Sequence, residues 1–146
     1  MNITDSDLHK RAVDCTTLTR QAAKTRKEWE FMGYVGAALV TDRGNVYTGI
    51  NLHLLCGIGF CAEHSAVAEM VRNGETRISK IVATTADGKI IPPCGRCREL
   101  LYQIDRSNAE TAVIIAEGAR RPLRELLPEN WQAYFDRELF PDKPAG

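Results

Sequence analysis

Cys61 stands alone in "CAEH", and Cys94 and Cys97 form a pair far downstream in "PCGRC". Three thiolates gathered on one zinc ion force the two segments that carry them together, and no other feature narrows the fold as much. They leave one tetrahedral position free. Glu63, two residues past Cys61, can move protons for a water bound there without itself holding the metal. The surrounding residues supply the frame for each thiol. "CAEHSAVAEMVRNG" places Ala62, Ala66, Val67, Met70 and Val71 on one face of a helix that starts at or near Cys61 and stops at Asn73-Gly74. "PPCGRC" is a turn forced by two prolines, and "CRELLYQI" continues it as a helix with Cys97, Leu100, Leu101 and Ile104 on one face. Both halves of the constellation therefore fall at helix N-termini, where free backbone N–H groups and the positive dipole end favour a thiolate.

The rest of the chain alternates. "TDSDLHKRAVDCTTLTRQAAK" spaces Leu8, Ala12, Cys15 and Leu18 as one face of a first helix, with Thr4 or Ser6 as N-cap. "YVGAALVT" and "VYTGIN" flank "DRGN" as a hairpin. "ISKIVATT" is a short strand, and "TAVIIAE" is a strand apolar enough for burial on both faces. "RPLRELLP" reads as a turn, "ENWQAYFDRELF" as an amphipathic last helix, and "PDKPAG" is expected to fray. Helix, hairpin, helix, strand, helix, strand, helix is the order of an α/β fold of three layers, α/β/α, with a mixed sheet. At 146 residues, positions 1–146 are expected to form a single domain with one core.

Charge and cysteine usage exclude whole classes of partner. Nineteen basic and nineteen acidic residues cancel, so no net basic field is available to hold nucleic acid, and a small-molecule partner is favoured. No apolar run approaches the roughly 20 residues that span a bilayer, and the start has no signal-peptide core, so the reading is cytoplasmic with no membrane partner. Five cysteines are an odd count, which suits three metal ligands plus two spare thiols, Cys15 and Cys56, expected to be buried or semi-buried.

"CAE" followed by "PCGRC" resembles the zinc nucleoside deaminases, whose signature is a zinc-binding His or Cys, a catalytic Glu and P-C-x-x-C. The all-cysteine form is similar to the small, usually tetrameric cytidine deaminases, and "PCGRCRELL" with "LRELLP" resembles the blasticidin S deaminase branch. Agreement runs roughly from Val35 to Trp131, through "VGAAL", "YTGIN", "CAE", "PCGRC" and "LLPENW". The resemblance implies a cytidine deaminase-like fold with zinc held by Cys61, Cys94 and Cys97 and protons shuttled by Glu63. It implies a hydrolase that releases ammonia from a cytosine nucleoside or close analogue by attack of zinc-bound hydroxide at C4, in pyrimidine salvage or in antibiotic detoxification. The Ala62 backbone would hold the pyrimidine amide edge and Asn51 the sugar. Trp131 would close over the base from a neighbouring subunit, which makes a homo-oligomer, a tetramer by resemblance, the expected assembly. Arg96 and Arg98 are candidates to donate to the thiolates.

This chain departs from that pattern at several places. His53 stands where the family has a ribose-binding glutamate, "NLHLLCGIGF" is one residue shorter before the cysteine, and His64 replaces a common arginine. Gly33 takes the place of a phenylalanine, with Tyr34 adjacent and Phe31 nearby.

Plainer roles exist for each residue. His64, one helical turn from Cys61, could complete a closed Cys3His structural zinc site in a non-catalytic module. Cys94 and Cys97 could exchange thiols, Glu63 could merely favour the helix dipole, and Asn51 could end a strand. His53 alone reads as a partly buried histidine and Trp131 as a core anchor. Arg120, Arg121 and Arg124 read as a solvated face.

Overall fold

A computed structural model describes residues 3–23 and 32–138; Phe31 and residues 141–146 lie outside the described residues, as does the side chain of Leu18. The first helix, α1 (Asp5–Ala23), starts where Thr4 accepts a hydrogen bond from the backbone N–H of Asp7 at 3.1 Å, which settles Thr4 over Ser6 as the cap. Strands β1 (Met32–Thr41) and β2 (Val46–Leu52) pair as the expected hairpin, with Gly44 at φ 83° in the turn. Helix α2 (Ala62–Arg72), strand β3 (Ile78–Thr85), the two-residue β4 (Ile90–Ile91) and helix α3 (Gly95–Ile104) follow. Next come β5 (Ala112–Ala116), β6 (Ala119–Pro122), the one-turn α4 (Leu123–Leu126) and α5 (Trp131–Glu138).

The strands form a mixed sheet in the order β2-β1-β3-β5-β6, with β4 paired to the end of β3. Among the described residues only β3 and β5 run parallel, and α3 lies on the connection between them. Alternation along the strands divides the core. Ala38, Val40, Val82 and Ile114 point to one face and pack with Leu8 and Ala12 of α1. Leu39, Ile81 and Val113 point to the other and pack with Ala66, Val67 and Met70 of α2 and Leu101 of α3. Helices thus cover both faces, and the three-layer α/β/α arrangement is the one the element order implies.

Two glycines bring the layers unusually close. A Cβ on Gly36 of β1 would lie 1.9 Å from the Ala12 carbonyl oxygen of α1, and one on Gly49 of β2 would lie 2.4 Å from the Ala66 nitrogen and 2.5 Å from the Ala62 oxygen of α2. Both helices rest directly on strand backbone, which only glycine allows.

Several sequence expectations need correction. Val71 is 43% exposed, because its place on α2 is about 100° round from Met70 and past the edge of the buried stripe. Cys56 is exposed in a short 3₁₀ turn (Leu55–Gly57), where it takes φ 58°, and is not a buried thiol; Cys15 is half-buried as expected. "RPLRELLP" is not a simple turn, since Arg120 and Arg121 lie in β6 on the edge of the sheet and Leu123 begins α4. The arginines there form the expected solvated face, pairing with Asp5, Glu125 and Glu110. Among the described residues, no helix is long and apolar enough to cross a membrane.

Candidate active site

Cys61 and Cys94 occupy equivalent places on two helices. Each is the extended residue just before the first helical turn, at φ −73°, ψ 158° ahead of α2 and φ −67°, ψ 166° ahead of α3. Local structure puts them there. Leu52 and Phe60 exchange backbone hydrogen bonds of 2.9 Å, closing the loop after β2 so that the chain re-enters at Cys61. Gly49 lets α2 lie on β2 at that point. On the other side, Arg98 donates from Nε to the Pro93 carbonyl at 2.8 Å and from Nη1 to the Leu126 carbonyl at 3.0 Å. The proline turn before Cys94 is held by that guanidinium, so Arg98 serves carbonyls and not the thiolates that the sequence suggested for it.

The thiols converge. Cys61 Sγ lies 3.6 Å from Cys94 Sγ, and Cys94 Sγ lies 3.5 Å from Cys97 Sγ. His64 Nδ1 lies 3.6 Å from Cys97 Sγ, and the donor atoms of Cys61, His64 and Cys97 all fall within 4.8 Å of one another. Two sulfurs on a tetrahedral zinc, each about 2.3 Å from the metal, are about 3.8 Å apart, so the spacing of these thiols fits zinc. Soft sulfur with one imidazole is also the donor set zinc takes.

Protonation follows position. Burial pushes the Cys61 thiol up, and burial together with the charge of Glu63 pushes Cys97 up further. Burial also opposes ionisation of Cys94, but the Cys97 backbone N–H and the Cys97 and Cys61 thiols outweigh it and hold Cys94 below the ordinary thiol value. Burial, helped by the Arg96 charge, keeps His64 below the usual imidazole value. Glu63 is 3% exposed, and burial raises its carboxyl, partly offset by its own backbone N–H and the Cys97 thiol. A carboxyl shifted toward neutral pH, beside a cluster of thiols, is suited to accept and return a proton.

An open cleft of about 450 Å³ adjoins the cluster, within the usual range for small-molecule sites. Its lining includes Asn51, His53, Ala62, Glu63 and Arg96, so three separate segments bring expected site residues to one place. Asn51 does two things at once: its Oδ1 accepts from the Val35 N–H at 2.8 Å, bridging the bulge in β1, while the residue faces the cleft. His53 and Arg96 are exposed. Trp131 is not in the cleft of its own chain. It begins α5, is 60% exposed, packs its ring 4.2 Å from that of Phe135, and donates its backbone N–H to Glu99 at 3.4 Å. Gly33 adopts φ 69° against Thr19, and Tyr34 is 56% exposed. Sequence reading missed the apolar wall of Leu54, Ile91 and Pro92. The prolines before Cys94 were its one visible sign.

Residues 8–115 match the family described as the cytidine and deoxycytidylate deaminase zinc-binding region. A cytidine deaminase of Mycobacterium tuberculosis is 33% identical over 97 residues, covering 65% of this chain and 70% of the relative. A blasticidin-S deaminase of Bacillus cereus is 31% identical over 77 residues, covering 47% of this chain and 55% of the relative. The crystal structure of the M. tuberculosis cytidine deaminase superimposes with a TM-score of 0.70 at 28% identity, covering 89% of this chain and 98% of that one.

Proposed function

The chain belongs to the cytidine and deoxycytidylate deaminase zinc-binding family and is a zinc-dependent C–N hydrolase, and from that premise we propose that its substrate is a cytosine nucleoside or a close analogue. The observation that carries this reading is the convergence of Cys61, Cys94 and Cys97 beside the buried Glu63 at the wall of a small-molecule cleft.

Cys61, Cys94 and Cys97 would hold the metal. Zinc, when bound, acts as a Lewis acid and lowers the pKa of water toward neutrality. Glu63 takes a proton from the attacking water, delivers it to N3 of the ring, and then supplies a proton to the departing amine, so that water is consumed and ammonia released. Ala62, at the first turn of α2, offers its backbone to the amide edge of the pyrimidine, while Asn51 and His53 face the remainder of the substrate. Trp131, exposed and outside the cleft of its own chain, would cover the base of a neighbouring subunit if the chain assembles as a homotetramer, and its exposure is what supports that role. Such an enzyme would serve pyrimidine salvage in the cytoplasm, without nucleic-acid or membrane partners. The relative named blasticidin-S deaminase supports an antibiotic analogue as the alternative substrate.

One observation favours a second reading. His64 Nδ1, 3.6 Å from Cys97 Sγ, is close enough to the thiols for a small movement to make it the fourth ligand of a closed Cys3His zinc, leaving no place for water. Ammonia release separates the two. Zinc-loaded protein incubated with cytidine, deoxycytidine, cytosine and blasticidin S is expected to deaminate at least one, and Glu63→Gln is expected to lower that rate by about a hundred-fold or more while keeping its zinc. Equal rates in wild type and Glu63→Gln would overturn the mechanism, and no turnover of any substrate with zinc bound would favour the closed site.

A further inference from the structure

Helix α5 begins at the exposed Trp131, and its first turn is held from outside. The first four N–H groups of any helix have no partner within it. Here Asn130 Oδ1 accepts from the Ala133 N–H at 2.7 Å, while Glu99 of α3 accepts from the Trp131 N–H at 3.4 Å and the Gln132 N–H at 3.2 Å. Gln103 Nε2, one turn along α3, donates to the same carboxylate at 3.0 Å and fixes its direction. Eight residues are too few to hold a helix on their own, and α3 is the principal neighbour of α5 among the described elements. The Trp131 ring then rests on that of Phe135, one turn on, with centroids 4.2 Å apart.

Glu99 follows Cys97 by two residues, about 200° round α3, so it leaves the helix on the side away from the buried thiol. It does not line the cleft either. Its bonds serve the backbone from which the Trp131 side chain springs. We propose that Glu99 is a positioning residue for substrate recognition, which acts through Trp131 by fixing the start of α5 and with it the reach of the indole. The inference rests on the reading that Trp131 covers the base, and adds what holds it in place to do so. The competing role for Glu99 is a cap that supports the fold alone.

A double-mutant cycle separates the two roles, because residues that act as one unit are not additive. Glu99→Ala, Trp131→Ala and the double variant are compared with wild type on whichever of cytidine, deoxycytidine, cytosine and blasticidin S the wild type deaminates. The cycle is repeated with the same compounds in zinc-loaded Glu63→Gln protein, where calorimetry reads affinity without turnover. Stacking on an aromatic ring acts as uniform binding, so Trp131→Ala is expected to raise KM by about five-fold or more with kcat within about two-fold. Glu99→Ala is expected to raise KM by about three-fold or more with zinc content unchanged, and to add nothing once Trp131 is gone. Glu99→Gln, which keeps one accepting oxygen, should recover part of the loss, and it carries the same cycle if Glu99→Ala does not fold. Effects that multiply in the double variant, a lower Tm with KM unmoved, an unmoved KM in Trp131→Ala, or loss of zinc from Glu99→Ala each overturn the proposal. The expected cycle in affinity without turnover of any compound leaves the inference standing and sinks the deaminase reading instead; neither binding nor turnover of any of them sinks both.

Discussion

Arg98 donates from Nε to the carbonyl oxygen of Pro93 at 2.8 Å, and the next residue after Pro93 is the zinc-binding candidate Cys94. The same guanidinium reaches the Leu126 carbonyl at 3.0 Å, at the end of α4 and shortly before Trp131. Glu99 beside it accepts from the backbone N–H groups of Trp131 and Gln132 at 3.4 and 3.2 Å. Two adjacent side chains of α3 thus tie the metal-binding turn to the segment that carries the exposed tryptophan.

Arg98→Ala leaves two partly buried carbonyls without their donor, which costs about 2 kcal/mol or more. It is expected to lower Tm and to speed zinc loss to a chelator, because the turn before Cys94 is released. Arg98→Lys, with one point charge in place of a fork, should recover part of both. Unchanged zinc loss alongside a lower Tm would show that the clamp supports the fold but not the metal turn.

Gly36 and Gly49 make a matched pair of probes. A Cβ at either would overlap helix backbone, 1.9 Å from Ala12 oxygen at Gly36 and 2.4 Å from Ala66 nitrogen at Gly49, and no rotamer change can relieve backbone. Each Gly→Ala substitution is expected to destabilise by about 2 kcal/mol or more, measured by denaturant unfolding. Only Gly49→Ala should also weaken zinc binding, since α2 follows Cys61 and carries Glu63 while α1 carries no ligand. Equal effects on zinc from both would mean that the metal responds to global stability and not to the seat of α2.

What could be read without coordinates, and what could not, follows from the range of the interactions involved. The convergence of Cys61, Cys94 and Cys97 was legible because a metal ties spacing to geometry, and the helices starting at those residues were legible from local apolar periodicity. Strand β6 was not, because "ARRP" has none of the residues that favour strands; it pairs because β5 offers a free edge, where arginine and proline are tolerated. The partners of Arg98 depend on the path of the chain near Leu126, which no local pattern encodes. Val71 failed for a different reason. Helical periodicity marks a face but not how wide the covering sheet is.

His64→Ala distinguishes a ligand from a neighbour. With Nδ1 at 3.6 Å from Cys97 Sγ, the imidazole is placed to donate to a thiolate, and removing such a partner typically weakens metal binding by about ten-fold or more without changing stoichiometry. One zinc per chain is therefore the expected content of the variant after dialysis, with a lowered affinity in chelator competition. Loss of the metal altogether would make His64 the fourth ligand, and the site would then be closed.

Glu75 offers a test of acid sensitivity away from the metal. It is 5% exposed and joins the chain after α2 to the β1–β2 hairpin, with Tyr47 and Asn45 each donating to its Oε1 at 2.7 Å. The Thr41 and Tyr47 hydroxyls, then the Asn45 amide and the Arg43 charge, hold its carboxyl below the ordinary glutamate value against the opposing effect of burial. A depressed carboxyl has a definite sign in linkage: as pH falls, the unfolded chain takes up this proton first. The contribution is thus complete above the unfolded value of about 4.3 and is lost as pH drops through the lower folded one. Glu75→Gln is expected to lower Tm at pH 7, and the gap to wild type should narrow steadily between about pH 4.5 and pH 3. A gap that stays constant with pH would show that the shape of the side chain, not its charge, holds the hairpin to the end of the helix that presents Cys61 and Glu63.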